Sequence, residues 1–184
     1  MKTKFLQLAI IALIAISSIS CSKDEAAAAV VTPPPAVITI PPANIPATGN
    51  YVTASADGVA FTTLWSATGE HQVVVQKILV NNQNSIYIQG RNINDLSAPK
   101  GLDLYLVGIS AVGTYTISPT GSSALQYAEG TVAYTTANNA GANATVTITK
   151  IDNTMVEGTF SFIGKKNNAT ETKTITSGSF RGVY

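Results

Sequence analysis

One cysteine, one histidine and one tryptophan are spread over 184 residues, and only 11% of the chain is charged. Each shortage removes a class of chemistry. A lone cysteine cannot close an internal disulfide, so the fold must be held by core burial and hydrogen bonding. No zinc-ligand spacing of cysteines and histidines exists, and no glycine-rich phosphate loop, so no metal and no cofactor are implied. Eleven basic against ten acidic side chains leave no basic patch for phosphates, which sets nucleic acid aside as a partner. Missing too is any sustained apolar repeat of 3.6 residues, the mark of an amphipathic helix; alternation of apolar and polar residues recurs instead.

What is there begins at the amino end. Met1-Lys2-Thr3-Lys4 carries two positive charges, residues 5–16 are apolar except for Gln7, and small residues then lead to the single cysteine, Cys21. An apolar run of twelve residues is well short of the ~20 needed to span a bilayer, so residues 1–20 read as an export signal peptide. Ser18-Ile19-Ser20-Cys21 resembles the bacterial lipobox. The resemblance implies a diacylglycerol on the Cys21 sulfur, cleavage before it, and acylation of the new amino end. Two or three acyl chains (palmitate among them) hold a protein stably at a membrane, where one holds only marginally. Ser22-Lys23-Asp24-Glu25 resembles the surface-export signal of Bacteroidota lipoproteins, which implies an outer-membrane protein facing the cell exterior. Removing the signal takes Lys2 and Lys4 with it and leaves nine basic and ten acidic side chains, near neutrality.

Residues 21–50 read as a tether. Ala26–Ala29 is low-complexity, and six of the eight prolines fall between Pro33 and Pro46. Proline favours extended geometry at ~3.1 Å per residue, so the segment reaches on the order of 80 Å. Val37-Ile38-Thr39-Ile40 has strand composition, but prolines on both sides keep it a stalk.

From residue 51 to 184 the texture turns to Thr, Val, Ile, Tyr, Phe and Gly with frequent turns. Residues 51–56 and 59–65 flank Asp57-Gly58, a preferred pair for a two-residue type I′ turn. That turn sets Ala56 opposite Val59, Ala54 opposite Phe61 and Val52 opposite Thr63. Val52, Ala54, Ala56, Val59, Phe61 and Trp65 then share an apolar face, with Thr53, Ser55 and Thr62 on the other. A second hairpin, with Glu129-Gly130 as its turn, pairs Tyr127 with Val132 and Leu125 with Tyr134. Further strands are expected at 72–80, 85–91 (after a turn at Asn81–Asn84), 102–109, 113–117, 144–151, 155–163 and 173–180. About ten short strands with hairpin connections predict an all-β domain, an antiparallel β-sandwich or partly open β-barrel. In the last strand Ile175 and Phe180 stand five apart, so strict alternation separates them; a β-bulge at Ser177-Gly178 would return both to the core.

A-D-G-V-A-F, G-T-Y-T-I, T-V-T-I-T-K-I-D, G-T-F-S-F and I-T-S-G-S-F, in that order, resemble an uncharacterised family of Bacteroidota outer-membrane lipoproteins. The resemblance implies a lipid-anchored all-β envelope domain with no established activity or ligand, and carries over no functional residue. The motifs also have a packing logic of their own: Phe160 and Phe162 share a face, as do Val146 and Ile148 between outward threonines.

The catalytic inventory is thin. His71 in Gly69-Glu70-His71-Gln72 reads as a solvated turn residue, and nothing resembles a nucleophile elbow. Asp57, Glu70, Asp95, Asp103, Glu129, Asp152, Glu157 and Glu171 are the acids of the domain, and no spacing selects a pair for general acid–base work. Asp95 and Asp152 have neighbouring asparagines but no calcium-loop ladder of oxygens. An enzyme is therefore not expected. One strand stands out: in Ser85-Ile-Tyr-Ile-Gln-Gly-Arg91, Ile86 and Ile88 point inward while Tyr87, Gln89 and Arg91 point outward. An aromatic beside an amide and a guanidinium is equipment for a sugar or peptide. Three functions follow. The favoured one is a surface-displayed binding or accessory lipoprotein whose ligand is a glycan or a peptide. A structural envelope component acting through protein contacts would need an exposed apolar patch, and a hydrolase would need convergent carboxylates or a His71 network.

Overall fold

The computed structural model describes residues 49–64, 71–93, 96–142 and 144–184. The readings made on the signal peptide, Cys21, its address and the tether lie outside these residues, as do those on Trp65, Glu70, Asp95 and the His71 side chain. The described residues form eleven strands and no helix. In chain order these are β1 (Tyr51–Ala56), β2 (Val59–Leu64), β3 (His71–Val80), β4 (Gln83–Asn92), β5 (Lys100–Val107) and β6 (Gly113–Ile117). There follow β7 (Ala124–Glu129), β8 (Val132–Thr135), β9 (Ala144–Ile151), β10 (Met155–Lys166) and β11 (Thr172–Val183).

All pairings are antiparallel, in the order β2-β1-β11-β10-β8-β7-β5-β4-β3, with β9 and β6 attached to β10. β10 is the branch point. Its first part pairs with β9, and its last residues, Lys165 and Lys166, pair with Thr135 and Tyr134 of β8. A layer β2-β1-β11-β10-β9-β6 therefore lies against a layer β3-β4-β5-β7-β8, joined through β10 into a nearly closed barrel. The end strands β2 and β3 close against each other by packing, and beside them glycines let the two layers approach, β4 to β1 and β11 to β3. A Cβ on Gly90 of β4 would lie 3.0 Å from the Val52 Cβ, and one on Gly182 of β11 would lie 2.2 Å from a Val75 methyl. Between the layers sit Val52, Phe61, Ile86, Ile88, Leu102, Leu104, Leu106, Leu125, Val146, Ile148, Val156, Phe162, Ile175 and Phe180, all buried.

The motifs G-T-F-S-F and I-T-S-G-S-F explain each other once β10 and β11 are paired. Gly158 lies opposite Phe180 and Phe160 opposite Gly178, so each ring covers the bare backbone of the other strand's glycine. A Cβ on Gly178 would come within 2.6 Å of the Phe160 ring, and one on Gly158 within 2.7 Å of the Phe180 ring. The bulge between them is present. Phe160 pairs with Gly178 but Phe162 with Ile175, so one extra residue of β11 opposes Ser161, and Ile175 and Phe180 are both buried. The left-handed residue is Ser177 (φ 51°) rather than the glycine, whose role is to make room for Phe160.

Several expected details are corrected. The first hairpin has the predicted register, but Val59, at the hairpin tip, is 59% exposed, and Thr53 and Ser55 are buried, so both faces of β1 are covered. In the second hairpin Tyr127 pairs with Tyr134 and Glu129 with Val132, so the turn is Gly130-Thr131. Gly130 carries the positive φ (59°) at the first turn position, as a type II′ turn requires; the predicted placement would have put Glu129 there. The slip is an even number of positions, so inward residues stay inward. The turn at 81–84 is only Asn81-Asn82, both left-handed (φ 49° and 61°), with Val80 opposite Gln83. Finally, β10 and β11 run to twelve residues each, longer than the short strands expected.

Candidate functional site

Alternation in β4, β5 and β7 is strict. Ile86, Ile88, Leu102, Leu104, Leu106, Leu125 and Tyr127 fill the core, which sends Tyr87, Gln89, Arg91, Asp103, Tyr105 and Gln126 outward. Register then aligns them in rows across four strands. Gln76, Tyr87, Tyr105 and Ala124 form one row; Val74, Gln89, Asp103 and Gln126 the next; Gln72, Arg91, Gly101 and Ala128 the third. The three residues singled out by sequence are thus together, and the structure adds Asp103, Gln126 and Tyr105.

Asp103 is the hub. Its carboxylate accepts from the Tyr87 hydroxyl (3.1 Å), Gln89 Nε2 (3.1 Å), Arg91 Nη2 (3.0 Å) and Gln126 Nε2 (3.5 Å). Gln89 Nε2 also donates to the Tyr87 hydroxyl. Arg91 reaches the carboxylate by lying across β5, where its cross-strand partner is Gly101; a Cβ there would stand 2.2 Å from Nη1. Side-chain exposure is 15% for Asp103 and 30% for Arg91, so the ion pair is half-sheltered rather than solvated. Burial first, then the charge of Asp103 and the hydrogen bond to it, raises the Tyr87 phenol above its ordinary range. Alternation alone left Tyr87, Gln89 and Arg91 on a solvated surface. They are instead tied into one network, which fixes their geometry.

The other regions differ. The end of the barrel beside Tyr127 and Tyr134 is bridged by ion pairs, Lys100 to Glu129 (3.3 Å) and Lys173 to Glu129 (3.4 Å) and Asp57 (3.3 Å). On the opposite layer the outward face is a field of hydroxyls: Thr114, Thr147, Thr159 and Ser179 align across β6, β9, β10 and β11. A shallow groove there is lined by Thr145, Ser161, Ile163, Thr174 and Thr176 over Phe162 and Ile175. The described acids other than Asp103 are engaged in turns and ion pairs. Asp152 Oδ1 accepts from Thr154 N (2.7 Å), Thr154 Oγ1 (2.6 Å) and Met155 N (3.0 Å), and these bonds hold its carboxyl down at about 2. That oxygen closes its own turn. Glu157 pairs with Arg181 and Glu171 with Lys166. Among the described residues no three His, Cys, Asp or Glu side chains converge as metal ligands.

A family profile described as "Domain of unknown function (DUF6252)" matches residues 53–184. No curated protein and no solved structure matches the chain.

Proposed function

The chain belongs to the DUF6252 family, and we propose that it is a lipid-anchored envelope protein, displayed at the outer-membrane surface, whose β-domain binds an extracellular glycan or peptide. The observation that carries the binding role is the preorganised outward face of β3-β4-β5-β7, with Tyr87, Gln89, Arg91 and Gln126 converging on Asp103. Side chains already held in one arrangement lose little conformational freedom on binding, which is what a recognition surface needs. The anchor rests on the lipobox at Cys21, and the outward orientation on Lys23-Asp24-Glu25 and the proline-rich stalk.

Cys21→Ala is expected to abolish incorporation of labelled palmitate and to move the protein from the membrane to the soluble fraction. Unchanged sedimentation with membranes sinks the anchor, and resistance of the wild type to protease on intact cells sinks the surface display. For the binding role, wild type and Tyr87→Ala are compared on glycan and peptide arrays. Tyr87→Ala should cost about 1 to 3 kcal/mol of stability, the value of the two hydrogen bonds its hydroxyl makes to Asp103 and Gln89, and lose the ligand. Equal binding by both proteins removes this face from consideration.

A further inference from the structure

We infer that the ligand of the Asp103 face is an uncharged oligosaccharide, laid against the Tyr87–Tyr105 pair; this rests on the reading above that the face is a binding surface. Charge is the first argument. In the three rows the only formal charges are Arg91 and Asp103, and they neutralise each other at 3.0 Å. The carboxylate is taken by four donors, so a cation finds no free acceptor there, and the guanidinium already has its anion. An anionic or cationic polymer would gain nothing from electrostatic complementarity.

Backbone geometry is the second argument. Peptides commonly bind sheets by adding a strand to an open edge. β4 is paired with β3 and β5, and β5 with β4 and β7, so the main-chain groups beneath these side chains are committed. Beneath Tyr87, Gln89, Asp103 and Tyr105 a peptide would find no edge, the open side of β3 lying one strand beyond, and no row of apolar pockets, Val74 being the only aliphatic branched side chain in the rows.

What the face does offer matches a pyranose chain. Tyr87 and Tyr105 stand directly opposite one another, which puts their Cβ atoms ~4.5 to 5.5 Å apart, a two-ring platform for the C–H face of a sugar. Around it Gln72, Gln76, Gln89 and Gln126 present amides. An amide both donates and accepts, as does every sugar hydroxyl; Gln72 and Gln76 offer both functions, while Gln89, whose two N–H groups go to Tyr87 and Asp103, offers its carbonyl oxygen as an acceptor. Beside the rings the ground is low at Ala124 and Ala128, which carry only a methyl group, while the Arg91 side chain covers Gly101. The chain of sugars would lie on that floor with its rings against the tyrosine step.

The test uses the full-length lipoprotein in detergent. Its probes are neutral linear hexasaccharides (β-1,4-glucan, xylan and mannan, and α-1,4-glucan), the anionic polygalacturonate, and a random hexapeptide library, read by calorimetry or array. The expected result is binding of at least one neutral hexasaccharide, with less than about a twofold change in Kd across a tenfold range of salt. Tyr105→Ala and Gln89→Ala should each weaken it by about tenfold or more. Tyr105→Phe, which keeps the ring, should stay within roughly threefold, with near-UV circular dichroism confirming that each variant is folded. Binding of a neutral sugar that is indifferent to Tyr105→Ala and Gln89→Ala overturns the inference, because the site is elsewhere. Binding only of polygalacturonate or peptides, lost in Tyr87→Ala, overturns the assignment of an uncharged oligosaccharide and leaves the binding face standing. Binding of none of the probes overturns both.

Discussion

Phe160→Ala is expected to destabilise the domain by ~3 to 5 kcal/mol, read as a shift in the midpoint of urea unfolding. The side chain is 4% exposed. Its ring centroid lies 6.3 Å from those of Phe162 and Phe180, and the ring covers the backbone at Gly178. Truncation therefore removes buried apolar area, opens a cavity between three strands and uncovers a glycine. The surroundings have little scope to collapse, because the Gly178 position is already in contact through backbone and ring. Domains of ordinary stability have ~5 to 15 kcal/mol in total, so such a loss threatens folding itself. A cost below about 1.5 kcal/mol would mean that the aromatic–glycine exchange between β10 and β11 is not a pillar of the core.

Alkali should destabilise the fold between pH about 10 and about 12, mainly through Tyr127. The side chain is 2% exposed and meets Phe61 edge-on at 6.2 Å. Burial, reinforced by the negative charge of Glu129 and partly offset by Lys173, pushes its phenol up to about 12 from an ordinary 10.0. The folded state thus holds the proton more tightly than the unfolded chain. Stability is fully present below the unfolded value, falls as pH rises through the interval, and levels above the folded value. A shift of this size corresponds to roughly 2 to 3 kcal/mol. Tyr87, Tyr134 and Tyr184 are raised as well and steepen the same loss. The difference between wild type and Tyr127→Phe isolates the one group: the variant should lose distinctly less stability from pH 9 to 12. Parallel stability curves for the two proteins over that range would refute the assignment.

The candidate site divides cleanly between what alternation reveals and what it hides. That Tyr87, Gln89 and Arg91 share a face follows from the two-residue period of one strand, and the structure places them there. That they converge on Asp103 does not follow. β4 and β5 are joined by residues 93–99, a connection too long for turn geometry to dictate register, so no local rule aligns Gln89 with Asp103 or Asp103 with Gln126. The readable hint was composition: a lone acid between two buried leucines, Leu102 and Leu104, with Gly101 beside it for the arginine to cross.

By itself the sequence determined much of what depends on neighbours along the chain. The all-β class, the Asp57-Gly58 hairpin and its pairing, the inward residues of β4, β7, β9 and β10 and the β11 bulge come from turn chemistry and period-two patterning, which act over a few residues. Tertiary structure alone decided the branching of β10 between β9 and β8, the closure of β2 against β3, and the meeting of four donors at one carboxylate. Those outcomes pair residues far apart in sequence, where the chain's own stiffness no longer carries information and only the joint packing of both layers selects the register. The second hairpin shows the boundary in small. Face parity survived a mistaken turn, because burial fixes which side a residue faces, while its cross-strand partner awaited the conformation of Gly130.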